Sequence, residues 1–200
     1  MNEMQAFLRS RYSVRRFLPQ PVAREIVERI LETSTWAPSA HNRQPWRFAV
    51  LESQSERERL GSALGRRLEQ VLVADGMDVE AAHARAERSR NRISEAPLAI
   101  LLCVAEEAVQ RETNLERQAR EYQMAVQSTA LAGGTLLLAA HAEGLEGVWL
   151  CAPLFQPELV RQVLDLEDSW HPQALLLIGT PDEPPQPRTR QPWQDVTVFR

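Results

Sequence analysis

The segment that most constrains the fold is a long helix predicted over residues 116–141, which is unusually apolar. From Met124 onward apolar residues occupy nearly every side of it, and small residues such as Ala132 and Gly133 lie among them. A helix that is apolar on every side must be buried on every side. A chain of 200 residues can rarely surround so long a helix alone, so the pattern favours packing of part of it against a second subunit in a homodimer.

The rest of the chain predicts shorter helices and strands around this segment. Helices are predicted over residues 3–9, 22–35 and 156–164, with two more in the charged region 53–95, separated near Asp75 and Gly76. Apolar runs predict strands over residues 46–51, 98–104, 148–150 and 173–179, with a loop over 36–45 and a turn over 144–147. The charged region is typical of solvated helix faces, and a mobile lid over a site is the alternative.

Proline becomes frequent after Thr180, at Pro181, Pro184, Pro185 and Pro187. This composition predicts an extended arm over residues 180–200, and residues 196–199 are expected to add a strand at its end. The chain shows no internal repeat and no second domain. The sequence therefore predicts one α+β domain over residues 1–200.

The composition excludes several classes of function. All 23 basic residues are arginine, which rules out pyridoxal Schiff bases, lysine nucleophiles and the phosphate-loop lysine of nucleoside triphosphatases. The net charge of −4 argues against a nucleic-acid partner, and Cys103 and Cys151 give neither a disulfide framework nor a metal-ligand spacing. We find no secretion signal, and residues 124–140 are too short and too polar to span a bilayer. A cytoplasmic protein with no membrane partner and no metal is the prediction.

Two arginine clusters lie at opposite ends of this acidic chain. The first contains Arg11, Ser13 and Arg15, and the second contains Arg188 and Arg190. Guanidinium groups bind phosphate through forked, charge-assisted hydrogen bonds, so two such clusters suggest one shared anion site. The alternative is that both clusters are solvated surface arginines.

Four ordered segments carry a resemblance to a known family. They are Arg11-x-Ser13-x-Arg15-x-Phe17, Ala37-Pro38-Ser39-x-x-Asn42-x-Gln44-Pro45-Trp46-x-Phe48, the turn and strand from Gly144 to Trp149, and Arg188-x-Arg190-x-Pro192. In this order and at these spacings the chain resembles the nitroreductase-like flavoprotein superfamily over nearly its whole length. The resemblance implies a central, mostly antiparallel sheet flanked by helices, an extended C-terminal arm, and an intertwined homodimer with FMN sites at the subunit interface.

The resemblance also implies which residues bind FMN. The phosphate and ribityl chain would be held by Arg11, Tyr12, Ser13, Arg15, Arg188 and Arg190. The ring would be lined by Pro38, Ser39 and Ala40, by Asn42 and Gln44 of the dimer-related chain, and by the backbone of Leu150 and Cys151. Cys151 stands where the family usually has glycine, which is a departure from the pattern. His41 is the candidate for substrate contact, with an exposed loop histidine as the alternative.

The function implied is an FMN-dependent oxidoreductase that uses NAD(P)H as a transient electron donor. It would reduce a nitroaromatic, a quinone or a similar small acceptor by ping-pong hydride transfer, with the flavin and no protein side chain carrying the chemistry. The chain is also similar to the FMN domain fused to the glutamate ligase of deazaflavin-cofactor biosynthesis. Three segments carry this similarity: Arg15-Arg16-Phe17, the charged middle region ending at Ala96-Pro97-Leu98, and Gly144-Leu145-x-Gly147-x-Trp149-Leu150. Reduction of a dehydro precursor of that cofactor is therefore one alternative, and a non-catalytic flavin-binding sensor is another.

Overall fold

A computed structural model describes residues 1–185 and 188–200. The helices are α1 (Glu3–Ser10), α2 (Arg24–Ser34), α3 (Gln54–Ala74), α4 (Val79–Ser94), α5 (Leu115–Ala142), α6 (Ala152–Phe155) and α7 (Pro157–Leu164). The strands are β1 (Trp46–Leu51), β2 (Leu98–Ala105), β3 (Glu146–Leu150) and β4 (Trp170–Gly179). Short 3₁₀ turns occur at Ala40–Asn42, Glu106–Ala108 and Trp193–Val196.

The four strands form one antiparallel sheet in the order β1-β2-β4-β3. Side chains alternate between its faces, so Leu101 and Leu175 face one core while Ile100 and Leu176 face the other. Helices α3, α4 and α7 cover the first face, and α2 and α5 cover the second. Burial on both faces explains why β2 is apolar throughout, and each fully buried leucine contributes about 1.5–3 kcal/mol. The predicted α+β class with an antiparallel sheet is confirmed.

Local signals in the sequence set the ends of the long helices. Ser53 and Glu56 form a capping box at the start of α3, and Asn114 caps the first turn of α5. The predicted break in the charged region falls at Gly76, whose φ of 86° is a conformation that glycine adopts without strain. Residues 53–95 therefore form two helices, as expected.

Helix α5 is covered on only one side by its own chain. Ala132, Gly133 and Leu136 are buried against the sheet, whereas Leu131 is 51% exposed and Gly134 lies in open space. The prediction of burial on every side is therefore not met within one chain. In the described part of the chain no helix is both long and apolar enough to cross a membrane.

Gly133 is the point of closest approach between α5 and the sheet. A Cβ atom placed there would lie 2.4 Å from Cζ3 of Trp149 and 2.7 Å from Cδ2 of Leu102. We expect Gly133→Ala to lower the free energy of unfolding by about 1–3 kcal/mol in a urea titration, because the core has no room for the methyl group. Gly134→Ala makes the same change in helix propensity without a clash inside its own subunit, since none of the described residues lies within 4 Å of the added atom, so it is compared as the monomer. An unchanged urea midpoint for Gly133→Ala would contradict the packing described.

The main differences from the sequence predictions lie in β3, in β4, which begins at Trp170 instead of residue 173, in the short helix α6, which was not predicted, and in the arm. The turn predicted over residues 144–147 is shorter than expected, because β3 already begins at Glu146. Gly147, the second residue of β3, has no side chain and so lets the strand approach β4 closely. The strand predicted over residues 196–199 is wrong, since Val196 ends a 3₁₀ turn and the exposed residues that follow it pair with none of the described strands. Pro187, named in the arm prediction, lies outside the described residues.

Candidate functional site

The two ends of the chain meet at a cavity of about 680 Å³, which we call the arginine cavity. It is lined by Leu8, Arg9, Ser10, Arg11, Tyr12, Ser13, Arg15, Pro185, Arg188 and Arg190. All six residues predicted to hold a phosphate and its ribityl chain are in this set. Its volume lies in the range of about 300–1,000 Å³ that is typical of small-molecule sites. The structure thus brings both predicted arginine clusters to one site.

Backbone hydrogen bonds hold the two ends together beside this cavity. The N–H of Leu18 donates to the carbonyl of Thr180 at 2.9 Å, and the N–H of Asp182 donates to the carbonyl of Arg16 at 3.0 Å. The N–H of Arg15 donates to Oε1 of Glu183 at 2.9 Å. The start of the arm is therefore fixed along residues 15–18, which places the arginines that follow it at the cavity.

The cavity is strongly cationic. In the residues that the structure describes, the guanidinium groups of its five arginines form no ion pair with a carboxylate. Burial raises the pKa of Tyr12 above its usual value, and the nearby carboxylates of Glu146 and Glu183 raise it further. The phenol therefore remains a neutral hydrogen-bond donor at neutral and mildly alkaline pH. Unpaired guanidiniums with hydroxyl donors are the groups that an organic phosphate requires.

Arg92 is a further cation in this region that the sequence did not single out. It lies in the last turn of α4, and its pKa is lowered by burial and by the charges of Arg15 and Arg88. Arg92 itself does not line the arginine cavity, but the charge of Arg15, which does, acts on it. In the sequence, the only indication was that Arg92 directly precedes Ile93, an apolar residue that is buried in the core and fixes the last turn of α4 there.

The loop predicted to contact a flavin ring adopts an unusual backbone. His41, Asn42 and Gln44 have φ values of 54°, 52° and 50°, in the left-handed region that non-glycine residues rarely adopt. The loop is fixed by hydrogen bonds from the N–H of Gln44 to Oγ of Ser39, and from the N–H of Ala40 to Oγ of Ser128 on α5, both at 3.1 Å. Left-handed residues cost about 1–3 kcal/mol each and cluster at functional sites, so this loop is a strong functional candidate.

This loop and the arginine cavity are separate in one chain. The loop borders a shallow depression of about 290 Å³ formed by Pro38, Ser39, Ala40, Met124, Gln127, Ser128 and Leu131. None of these residues lines the arginine cavity. The predicted phosphate residues are brought together, whereas the predicted ring residues Pro38 to Gln44 lie elsewhere on the surface. One chain alone does not combine them into a single site.

Leu150 ends β3, Cys151 lies between β3 and α6, and neither lines the arginine cavity. The thiol of Cys151 is exposed, whereas burial raises the pKa of the Cys103 thiol to about 12. With Ellman's reagent at pH 8 we expect Cys151 to react promptly and Cys103 to react only after unfolding, because the thiolate is the reactive form. If Cys151 lies beside a flavin ring, added FMN will slow its reaction. Prompt reaction of Cys103 in the folded protein would contradict its burial.

The fold is α+β, and both ends of the chain contribute arginines to one cavity. The nitroreductase family model matches residues 8–180. The chain belongs to the nitroreductase family, which confirms the predicted resemblance and the oxidoreductase class.

Individual relatives agree with this placement. An NADH dehydrogenase of Thermus thermophilus is 32% identical, over 95% of this chain and 92% of that protein. The 5,6-dimethylbenzimidazole synthase of Rhodospirillum rubrum is also 32% identical, over 96% of this chain and 89% of that protein. A structure from Desulfovibrio desulfuricans, described as a nitroreductase in complex with FMN, superposes with a TM-score of 0.77 and 25% identity, over 100% of this chain and 98% of that one.

Proposed function

We propose that the protein is an FMN-dependent oxidoreductase that uses NAD(P)H to reduce a small organic acceptor such as a nitroaromatic or a quinone. The observation that carries this proposal is the arginine cavity, whose guanidinium groups have no carboxylate partner among the described residues. A phosphate monoester carries close to two negative charges at neutral pH, and several fixed donors are needed to replace its hydration. The donor set therefore fits the phosphate end of FMN.

Different residues of the arginine cavity would bind different parts of the cofactor. Arg11, Arg15, Arg188 and Arg190 would neutralise the phosphate, and the hydroxyls of Tyr12 and Ser13 would bind its oxygens or the ribityl chain. When bound, FMN supplies the two-electron chemistry, taking hydride from NAD(P)H and passing it to the acceptor. No side-chain acid or base is required, so the task of the protein is to bind, orient and exclude water.

The ring of the flavin would lie between two copies of the chain. The loop of residues 38–44 and the arginine cavity are separate in one chain. The exposed stripe of α5, which contains Gln127, Leu131 and Gly134, borders the depression beside this loop. If these stripes pack against each other in a homodimer, Pro38 to Ala40, Asn42 and Gln44 of one copy can face the cavity of the other. His41 would then be placed for contact with the acceptor.

A spectroscopic assay tests the proposal. Protein reconstituted with FMN should be yellow, bleach with NADPH or NADH in the absence of oxygen, and recover on addition of menadione or nitrofurazone. A yellow protein that neither nucleotide bleaches would favour the flavin sensor. A protein that does not retain FMN would overturn the proposal, and turnover confined to the dehydro-deazaflavin precursor would favour the deazaflavin alternative.

A second candidate is synthesis of 5,6-dimethylbenzimidazole, the product named for the Rhodospirillum rubrum relative. The observation in its favour is 32% identity over 96% of this chain, equal to the identity with the NADH dehydrogenase. The product shares its dimethylated benzene ring with the flavin. Mass spectrometry of aerobic mixtures of protein, FMN and NADPH would detect this compound if the second candidate is correct, and only reoxidised FMN if the first is.

A further inference from the structure

A hydrogen-bonded chain of Ser10, His141 and Glu146 lies behind one wall of the arginine cavity. Oγ of Ser10 is 2.7 Å from Nε2 of His141, and Nδ1 of His141 is 2.6 Å from Oε1 of Glu146. Ser10 lines the cavity, whereas Glu146 is only 5% exposed. The three residues come from the end of α1, the last turn of α5 and the start of β3. This series of hydrogen bonds therefore links the cavity wall to the core.

Helix α1 depends on this link. None of its residues is buried, yet Leu8 to Ser10 form part of the cavity wall. Phe7 packs its ring on that of His141 at a centroid distance of 4.8 Å. Among the side-chain hydrogen bonds of the described residues, the one that ties α1 to the body of the protein joins Ser10 to His141. His141 is thus the side-chain anchor of α1, which forms the part of the wall that contains Leu8, Arg9 and Ser10.

Glu146 fixes the orientation of that anchor. The hydroxyl of Ser10 also lies 2.8 Å from the carbonyl of Phe7, which can only accept a hydrogen bond. The single hydroxyl hydrogen serves Phe7, so Nε2 of His141 must donate to Ser10. The other ring nitrogen, Nδ1, faces the carboxyl of Glu146 at 2.6 Å. The hydrogen bond at one ring nitrogen of a histidine sets the role of the other. The contact between Glu146 and Nδ1 therefore orients the ring so that Nε2 can donate to Ser10.

The same pair balances a charge close to the cavity. Burial raises the pKa of Tyr12, a cavity residue, and the carboxylate of Glu146 raises it further; among the described residues, Oε2 of Glu146 is buried without a hydrogen-bond partner. A buried carboxylate is costly unless it is paired, and an unbalanced one beside an anion site would repel phosphate. The ring of His141 is the hydrogen-bond partner of the other oxygen, Oε1.

We propose that His141 and Glu146 are positioning residues that dock α1 as a wall of the arginine cavity and so set its affinity for the cofactor phosphate. The inference rests on the proposed function for the identity of the cofactor. It concerns residues that contact the wall and not the ligand.

The test compares four variants of the full chain. Ser10→Ala and His141→Gln remove the anchor, Ser10→Thr restores the hydroxyl, and His83→Gln is the matched control, because His83 makes a similar contact with Glu69 at 3.2 Å away from the cavity. Without FMN, hydrogen exchange of the amides of residues 3–13 should quicken in Ser10→Ala and His141→Gln alone. The dissociation constant for FMN, measured by fluorescence quenching, should rise about fivefold to tenfold in the same two variants.

A charge-compensation variant separates positioning from general destabilisation. Adding Glu146→Gln to His141→Gln should recover part of the FMN affinity lost in His141→Gln, because the unbalanced carboxylate is removed. Unchanged exchange over residues 3–13, or an unchanged dissociation constant in the two anchor variants, would overturn the inference. Failure of the unmodified protein to bind FMN would defeat the proposed function, while the exchange measurement would still decide whether His141 anchors α1.

Discussion

The double variant Arg15→Ala, Arg190→Ala should lose FMN while remaining folded. The two residues come from opposite ends of the chain and line the same cavity. A hydrogen bond to a charged group contributes about 1.5–3 kcal/mol, so loss of both guanidiniums should raise the dissociation constant about a hundredfold or more. The measurement is fluorescence quenching of FMN by protein, with thermal unfolding of the apo protein recorded alongside.

Arg59→Ala, Arg85→Ala is the matched control, since it removes the same charge from the exposed faces of α3 and α4. We expect its FMN affinity to stay close to that of the unmodified protein. Equal losses in the two double variants would show that net charge and not the cavity governs binding. Full retention of FMN by Arg15→Ala, Arg190→Ala would show that the chain ends do not hold the phosphate.

The second large effect is expected at the exposed stripe of α5. Leu131 is 51% exposed in one chain and lies beside the depression formed with residues 38–40. If this stripe packs against a second copy, Leu131→Glu places an unpaired carboxylate in an apolar interface, which costs several kcal/mol. Sedimentation velocity should show a dimer for the unmodified protein and a monomer for Leu131→Glu.

Val73→Glu on α3 is the control for this substitution, because Val73 is 39% exposed and lies far from that stripe. It should leave the dimer intact. Since the flavin ring site is proposed to need both copies, Leu131→Glu should also weaken FMN binding. A monomeric unmodified protein, or a Leu131→Glu variant that remains dimeric, would refute dimerisation through α5.

Much of the fold was predictable because local patterns decided it. Continuous or alternating apolar runs located β1 and β2 closely, and Gly76 marked the break between α3 and α4. Residues 196–199 have the composition of a strand, but the structure pairs them with none of the described strands, and strand pairing depends on tertiary position, which a local pattern does not report. β3 began earlier than predicted because Gly147 permits close strand packing.

The candidate site was predictable only in part for a similar reason. Arginine clusters at both ends suggested a shared anion site, and the chain ends do meet there. The left-handed backbone of His41, Asn42 and Gln44 was not predicted, since such φ values are uncommon for any residue except glycine, even though Asn and His adopt them more often than most. The contact between Ser10 and His141 joins residues 131 positions apart, so only the folded arrangement reveals it.

We propose above that the arginine cavity recognises the phosphate of a flavin. Isothermal titration of the unmodified apo protein with FMN and with riboflavin tests it most directly, because the two ligands differ only in that phosphate. We predict that FMN binds at least about a hundredfold more tightly than riboflavin, and that the difference shrinks as salt is added. Equal affinities for FMN and riboflavin would contradict the claim.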